Sequence, residues 1–322
     1  MISRLLWISC ALIANVHLQA QPENYISYHQ SVLDIEQLIA SNQFNEALSR
    51  YDQLFQQYEF VFLEDYKIAA QLAAHLGDEY RAFDYLGLGV ANGWTLKEIK
   101  KHQLLKPLKK NPRWFDLEKS YEALRQDFED RINDSLRAVI RDLSKEDQKM
   151  AFKYLLKPSQ KAREKFITQE VIPLNERQMQ QLQNILDQIG YPGEKLIGNS
   201  VWMSTILGHH NSISPEYQQA DTIFPRLKPQ LLQAVNRGEM DPLDLAIIDD
   251  WYLTVKSDHQ QSSYGIIKPI TPDEVDQCNH YRSQLGLRSV QLRNALVEIQ
   301  QQTGMDLYLD MGSWLKGKIP TN

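Results

Sequence analysis

Apolar residues in this chain recur at steps of three and four, and no convincing stretch alternates in the manner of a strand. Val32, Ile35, Leu38 and Ile39 form one stripe, and Ala47, Leu48, Tyr51, Leu54 and Phe55 a second. Ile68, Leu72 and Leu76 form a third, and Tyr80, Phe83, Leu86 and Val90 a fourth. Asn42-Gln43 and Gly77-Asp78 interrupt the chain between the members of each pair. A stripe of this period faces a core only when wound as a helix. The expected fold class is therefore all-α.

Small residues at Ala47 and Ala82 lie 35 positions apart, close to the spacing of about 34 in tetratricopeptide helix pairs. The segment 25–115 resembles tetratricopeptide-like helical hairpins, with the large aromatic and proline positions of that repeat only partly kept. Such pairs stack on a neighbour and present a surface to a protein or peptide partner. A plain helical bundle explains the same pattern. Near its end, Lys100, Lys101, Lys106, Lys109 and Lys110 form a basic run, which reads first as a solvated face.

Segment 116–157 keeps one apolar face through Leu117, Tyr121, Leu124, Phe128, Ile132, Leu136, Val139 and Leu143. An unbroken helix of that length would span ~60 Å, so a break is expected near Leu143-Ser144, with Ser144 as the new cap. Residues 158–174, rich in lysine, glutamine and proline, read as a linker. A helical domain then occupies 175–304. Asn175 reads as a cap with Gly190 as a stop, and Ser200 as the cap of a short helix, Val201 to Leu207. Ser214-Pro215, Asp241-Pro242 and Thr271-Pro272 each place a cap before a proline at the first helical position. Those three helices should end near Gly238, Lys256 and Gly286. A last helix runs from about Ser289 to Gly304, and 305–322 is a tail.

Compartment is written at the N-terminus. Arg4 precedes an apolar run from Leu5 to Val16, and Leu18-Gln19-Ala20 reads as a cleavage site, so 1–20 is expected to be a signal peptide. The run is too short to span a bilayer, so no integral membrane segment is expected in the mature chain. The protein is expected to be periplasmic or secreted. Its charge is −6, and loss of Arg4 with the leader makes it −7, which argues against nucleic acid as a partner. Cys278 alone survives cleavage, so no internal disulfide can form.

The polar candidates cluster late in the chain. His209 and His210 end a short helix, where adjacent positions diverge by ~100° and cannot share one metal. Asp249-Asp250 stands near a helix end where the dipole disfavours carboxylates. Either an arginine (Arg226, Arg237 or Arg282) stabilises the pair, or His210 works with Asp250 as an acid–base couple. Tyr264-Gly265 lies in a loop. No phosphate-binding glycine loop, nucleophile elbow or zinc motif occurs, so no cofactor or metal is expected.

From Leu143 to Leu287 the chain resembles an uncharacterised bacterial domain-of-unknown-function family. Its motifs are an Asp-Gln, a glycine–aromatic–proline turn, Gln-His, Ala-Tyr-Leu-x-Asp-Arg and Gln-x-Tyr-Gly-Thr-Gln, then an arginine before Gly-Leu. Asp147-Gln148, Gly190-Tyr191-Pro192-Gly193, His210, Ala246, Asp250, Tyr264-Gly265, Arg282 and Gly286-Leu287 occur in that order. His209, Trp251, Ser262 and Ile266-Ile267 depart from the motif. The resemblance carries no established activity. Two readings follow: a binding or scaffolding module of the cell envelope, with His209, Asn211 and Arg282 as binding residues, or a hydrolase with His210, Asp250 and Tyr264 in one polar pocket. The departures also admit a motif that locks the loop to its helices.

Overall fold

Both breaks in the N-terminal stripes fall where the sequence places them. In the computed structural model, which describes residues 24–309 and 317–320, α1 (Tyr25–Ala40) and α2 (Phe44–Gln57) are separated at Asn42, and α3 (Leu63–Leu76) ends on left-handed Gly77 before α4 (Glu79–Ala91). The leader reading over 1–20, Cys10 and Trp314 lie outside the described residues. Ala47 and Ala82 are both fully buried, each in the second helix of its hairpin, where a methyl lets the helices close up.

The rest of the described chain is also helical, with no strand among the described residues, and the fold is all-α. After α5 (Leu96–Lys101) come α6 (Arg113–Arg131) and α7 (Asp134–Leu155). The break in the long amphipathic segment is therefore at Ile132-Asn133, not at Leu143-Ser144. Asn133 supplies the cap by accepting from Leu136 N, while Ser144 is buried inside α7. Residues 158–174 are not a linker. They form α8 (Gln160–Phe166), a π turn (Ile167–Val171) and the start of α9 (Ile172–Gln188). Pro173 falls in the first turn of α9, where the missing N–H does least harm. Asn175 is thus one turn into the helix and not its cap.

Then follow α10 (Glu194–Ile197), α11 (Trp202–Asn211), α12 (Pro215–Ala220), α13 (Ile223–Asn236), α14 (Pro242–Lys256), α15 (Val275–Gln284) and α16 (Val290–Thr303). Ser214 and Asp241 cap as read, and Thr271 with Glu274 forms the capping box of the short turn that leads into α15. Ser200 does not cap α11, and Asp221 interrupts the helix begun at Pro215 by capping α13 through Ile223 N and Phe224 N.

Two apolar cores result, and their boundary is not the one the sequence suggests. The first joins α1–α6 to Leu296, Val297 and Ile299 of α16 and then Met305, Leu307 and Leu309. The second holds residues of α7, α9–α11 and α13–α15, with Ile140, Met179, Ile206, Phe224, Leu231 and Ile248 among them, and takes in Val290 at the start of α16 and Ile319. The last described helix therefore packs mostly in the N-terminal core, and the 175–304 unit is divided. Burying the α16 stripe there contributes roughly 1.5–3 kcal/mol for each large side chain.

Candidate functional site

Most polar groups of the motif residues are engaged, and what engages them is the fold itself. Asp250, near the end of α14, is 0 % exposed. Its Oδ1 accepts from Ser263 N (2.7 Å) and Tyr264 N (3.1 Å), and Oδ2 from Ile266 N (2.9 Å) and Ile267 N (3.0 Å). The Ser262 hydroxyl touches both oxygens, at 2.9 and 2.8 Å. One carboxylate thus satisfies the backbone donors of a whole turn. Gly265 at φ 64° lets the loop curl around it. Neighbouring Asp249 accepts from Lys228 Nζ (2.8 Å) and the Tyr264 hydroxyl (3.1 Å). Neither carboxylate relies on arginine, contrary to the sequence expectation. Arg282 instead donates through Nε to the Tyr264 carbonyl and through Nη1 to the Arg288 carbonyl.

The histidines are engaged in the same way. His210 is fully buried on α11, with Nδ1 2.7 Å from Asn175 Oδ1, so Nδ1 carries the proton. Its Nε2 lies 3.4 Å from Asp221 Oδ2, a carboxyl held below its usual range, against the effect of burial, by His210 and by the α13 amides. His209 Nδ1 meets Asp147 Oδ2 at 2.6 Å, tying α11 to α7. Asn211 donates to the Ile248 carbonyl. His210, Asp250 and Tyr264 therefore share no hydrogen bond between side chains. Tyr264 meets Asp250 only through its backbone N–H, and its hydroxyl goes to Asp249.

The open space is elsewhere. A cavity of about 240 Å³ lies between the helical hairpins and the C-terminal helices. Of the residues singled out in the sequence as candidates, Arg282 alone reaches its wall. Three helix N-termini converge on it: α3 with Glu64 and Asp65 in its first turn, α10 with Glu194, and α14 with Asp241 and Asp244. Each carboxylate sits where its own helix dipole favours negative charge. Glu194 Oε1 also accepts from Leu63 N at 2.6 Å, capping α3 from the other half of the molecule. Phe62, the residue preceding α3, offers no side-chain cap.

Crowding inverts the usual carboxylate behaviour. Burial, reinforced by neighbouring carboxylates, pushes Asp65, Glu194 and Asp244 each up to about 7. The Tyr28 hydroxyl opposes this at Asp65 by donating to it. Glu64 keeps 39 % of its side-chain surface accessible at the cavity wall, yet protein surrounds it closely enough that burial lifts its carboxyl well above the ordinary range. Seven carboxylates against three guanidiniums line the space. Of the guanidiniums, Arg288 is committed to Glu36 (2.6 and 3.0 Å). His29 and Arg282 also line it, and His29 Nε2 and Arg282 Nη2 are buried without a hydrogen-bond partner. Burial lowers the pKa of His29 and favours the neutral ring.

Two glycines allow close approaches at and beside the wall. A Cβ on Gly193 would fall 1.9 Å from the Glu239 carbonyl oxygen, and one on Gly238 (φ 67°) would enter the Tyr25 ring at 2.3 Å. The Gly-Tyr-Pro-Gly turn thus lets two backbones meet at the cavity edge. Nothing in the spacing of Glu64, Glu194 and Asp244 announces that they line one cavity. Each reads singly as an acid in a first helical turn. Among the described residues, no group of three or more His, Cys, Asp or Glu is placed to hold a metal ion.

Comparison of the chain with family models, curated proteins and solved structures found no match. The family resemblance rests on the motif residues alone.

Proposed function

We propose that the protein is an exported binding module of the cell envelope and that its ligand is a small organic cation held in the cavity between the two cores. The observation that carries this is the surplus of carboxylates around a partly open cavity. An ammonium group placed there would favour the ionised forms of the Glu64, Asp65, Glu194 and Asp244 carboxyls that line the space, offsetting the burial that raises them. The volume is below the roughly 300–1,000 Å³ of pockets for drug-sized ligands, which points to a small molecule. A protein or peptide partner on the hairpins is the reading the sequence favoured. Its natural seat, the face of α1 and α3, is covered by α16 and residues 305–309 of the same chain. The hydrolase reading loses support because His210, Asp250 and Tyr264 are spent on structural bonds and line no part of the cavity.

Calorimetric titration of the mature chain with putrescine, lysine and arginine at pH 7.5 tests the proposal, with glucose and acetate as controls. Saturable binding of at least one amine, weakened in Asp244→Asn and Glu64→Gln, is expected. Equal heats from amines and controls, or amine binding unaffected by both substitutions, would overturn it.

A further inference from the structure

The last buried residue of α7 is Asp147; along the eight positions 148–155, ~12 Å of helix, Met150, Ala151 and Tyr154 are half-buried and the other side chains are exposed. Phe152, Leu155 and Leu156 are 62 %, 68 % and 66 % exposed, and spacing of three and four places them on one face. Lys149, Lys153 and Lys157 follow one another at four-residue steps along the flank of that stripe. The chain then turns through Pro158-Ser159 into α8, which adds Lys161, Arg163 and Lys165. Between 148 and 166 there are six basic residues and one acid, Glu164, a local excess of five positive charges in a protein of net −6. Lys157 and Arg163 lie over the rings of Phe166 and Tyr154, at 4.0 and 5.7 Å, and hold the two helices as one basic tip.

We infer that this tip docks the protein on an anionic phospholipid surface. Large apolar side chains clustered on one exposed turn and bordered by lysines are the composition that seats an interfacial helix. The apolar face enters the headgroup boundary while the ammoniums meet lipid phosphates. Charge complementarity selects this occupant: the lysine run at 100–110 is also basic, but its leucines are buried or half-buried, whereas the tip joins a positive excess to large exposed apolar side chains in a protein of net −6. No described helix is long and apolar enough to cross a membrane, so the contact would be peripheral. The inference is independent of the cavity, which is built from other elements.

Co-sedimentation of the mature chain with phosphatidylglycerol–phosphatidylcholine vesicles, against phosphatidylcholine alone, is the test. Binding to the anionic vesicles is expected, falling steeply with added salt. A Phe152→Ser, Leu155→Ser, Leu156→Ser variant and a Lys149→Gln, Lys153→Gln, Lys161→Gln variant should each partition roughly tenfold or more weakly. All six positions are exposed, so unchanged thermal melting should accompany the loss. Phe152→Trp should show blue-shifted emission on anionic vesicles. Absence of binding at low salt would overturn the proposal. So would full binding by the serine variant, or equal binding of both proteins to heparin with no blue shift, which would mark a site for soluble polyanions.

Discussion

Gln71 grips the backbone of Asp306 from both sides. Its Oε1 accepts from Asp306 N at 2.6 Å, and its Nε2 donates to the Asp306 carbonyl at 2.9 Å. Gln71 is fully buried on α3, and 235 residues separate the partners. A side-chain amide here does what a neighbouring strand would do in a sheet, and it fixes the chain end over the hairpins. Tyr308 is then drawn to within 5.3 Å of Lys67 Nζ.

Replacing Gln71 with leucine keeps the volume and removes both bonds. The Asp306 N–H and C=O are then left unpaired beneath protein, which costs about 1–3 kcal/mol for each group that water cannot reach. The Gln71→Leu protein should be destabilised by roughly 2 kcal/mol in urea and cleaved faster by protease after residue 303. Unchanged proteolysis would mean that Leu307 and Leu309 anchor the segment unaided.

Asp250 makes the strongest claim for the motif as a lock. Asp250→Asn puts an amide N–H where two backbone donors already point, and Asp250→Ala leaves the whole turn unpaired. Expected losses are about 2–4 kcal/mol for asparagine and more for alanine. Asn175→Ala, which frees His210 Nδ1, should cost about 1–2 kcal/mol. Hydrogen exchange of the amides at 263, 264, 266 and 267 should accelerate in Asp250→Asn and stay slow in Asn175→Ala. Slow exchange in both would remove Asp250 as the organiser of the loop.

What the sequence disclosed was local. Ser214 and Asp241 cap where they were read, and the helix expected from about Ser289 to Gly304 runs between those two residues, because a cap is decided by residues two or three apart. The 158–174 segment misled because Pro158 and Pro173 look like linker punctuation. Ser159 in fact caps α8, and Pro173 sits in a first turn prepared by the π turn. Position 133 beat 144 as the break because Asn133 also donates its own N–H to the Leu196 carbonyl, a tertiary bond no local window contains. Asp250 was found and its work was not, since its donors are backbone groups with no sequence signature. The cavity was out of reach for the same reason: packing alone places Glu64, Glu194 and Asp244 on its wall.

Those carboxyls set a pH dependence of unusual sign. Asp65, Glu194 and Asp244 have pKa values near 7 in the folded protein and near 4 when unfolded. Between these values the folded chain binds more protons, so stability falls as pH rises. His29 and His102, both lowered by burial, act oppositely, but only below about 6.5. From pH 6.5 to 8 each of the three carboxyls should therefore remove about 0.8 kcal/mol, together roughly 2 kcal/mol. Glu36, Asp241 and Arg288 face Asp65 and bear on its titration. Thermal melting across that window should fall by several degrees, and less steeply in Asp244→Asn. A flat profile would remove the electrostatic basis for a cationic ligand.

Arg288 and Glu36 join the two halves in a way that separates stability from binding. The pair is bidentate, 252 residues apart, and nearly closed to solvent, with side chains 14 % and 4 % exposed. Removing one partner strands a buried charge, so Arg288→Met should cost about 3–5 kcal/mol. Glu36→Leu in the same chain removes the stranded carboxylate, and the double variant should recover most of that loss, because a buried ion pair is worth little against well-packed apolar groups. The double variant also keeps Glu64, Asp65, Glu194 and Asp244 at the cavity while deleting one positive and one negative charge. If the cavity takes a cation through those four acids, the double variant should bind the amine that saturates the wild type within a few-fold of wild-type affinity, whereas Arg288→Met alone should bind it more tightly per folded molecule. Urea denaturation and calorimetry on the same three proteins decide it: recovered stability with lost binding would place the ligand on Glu36 and Arg288, not on the four helix-end carboxyls.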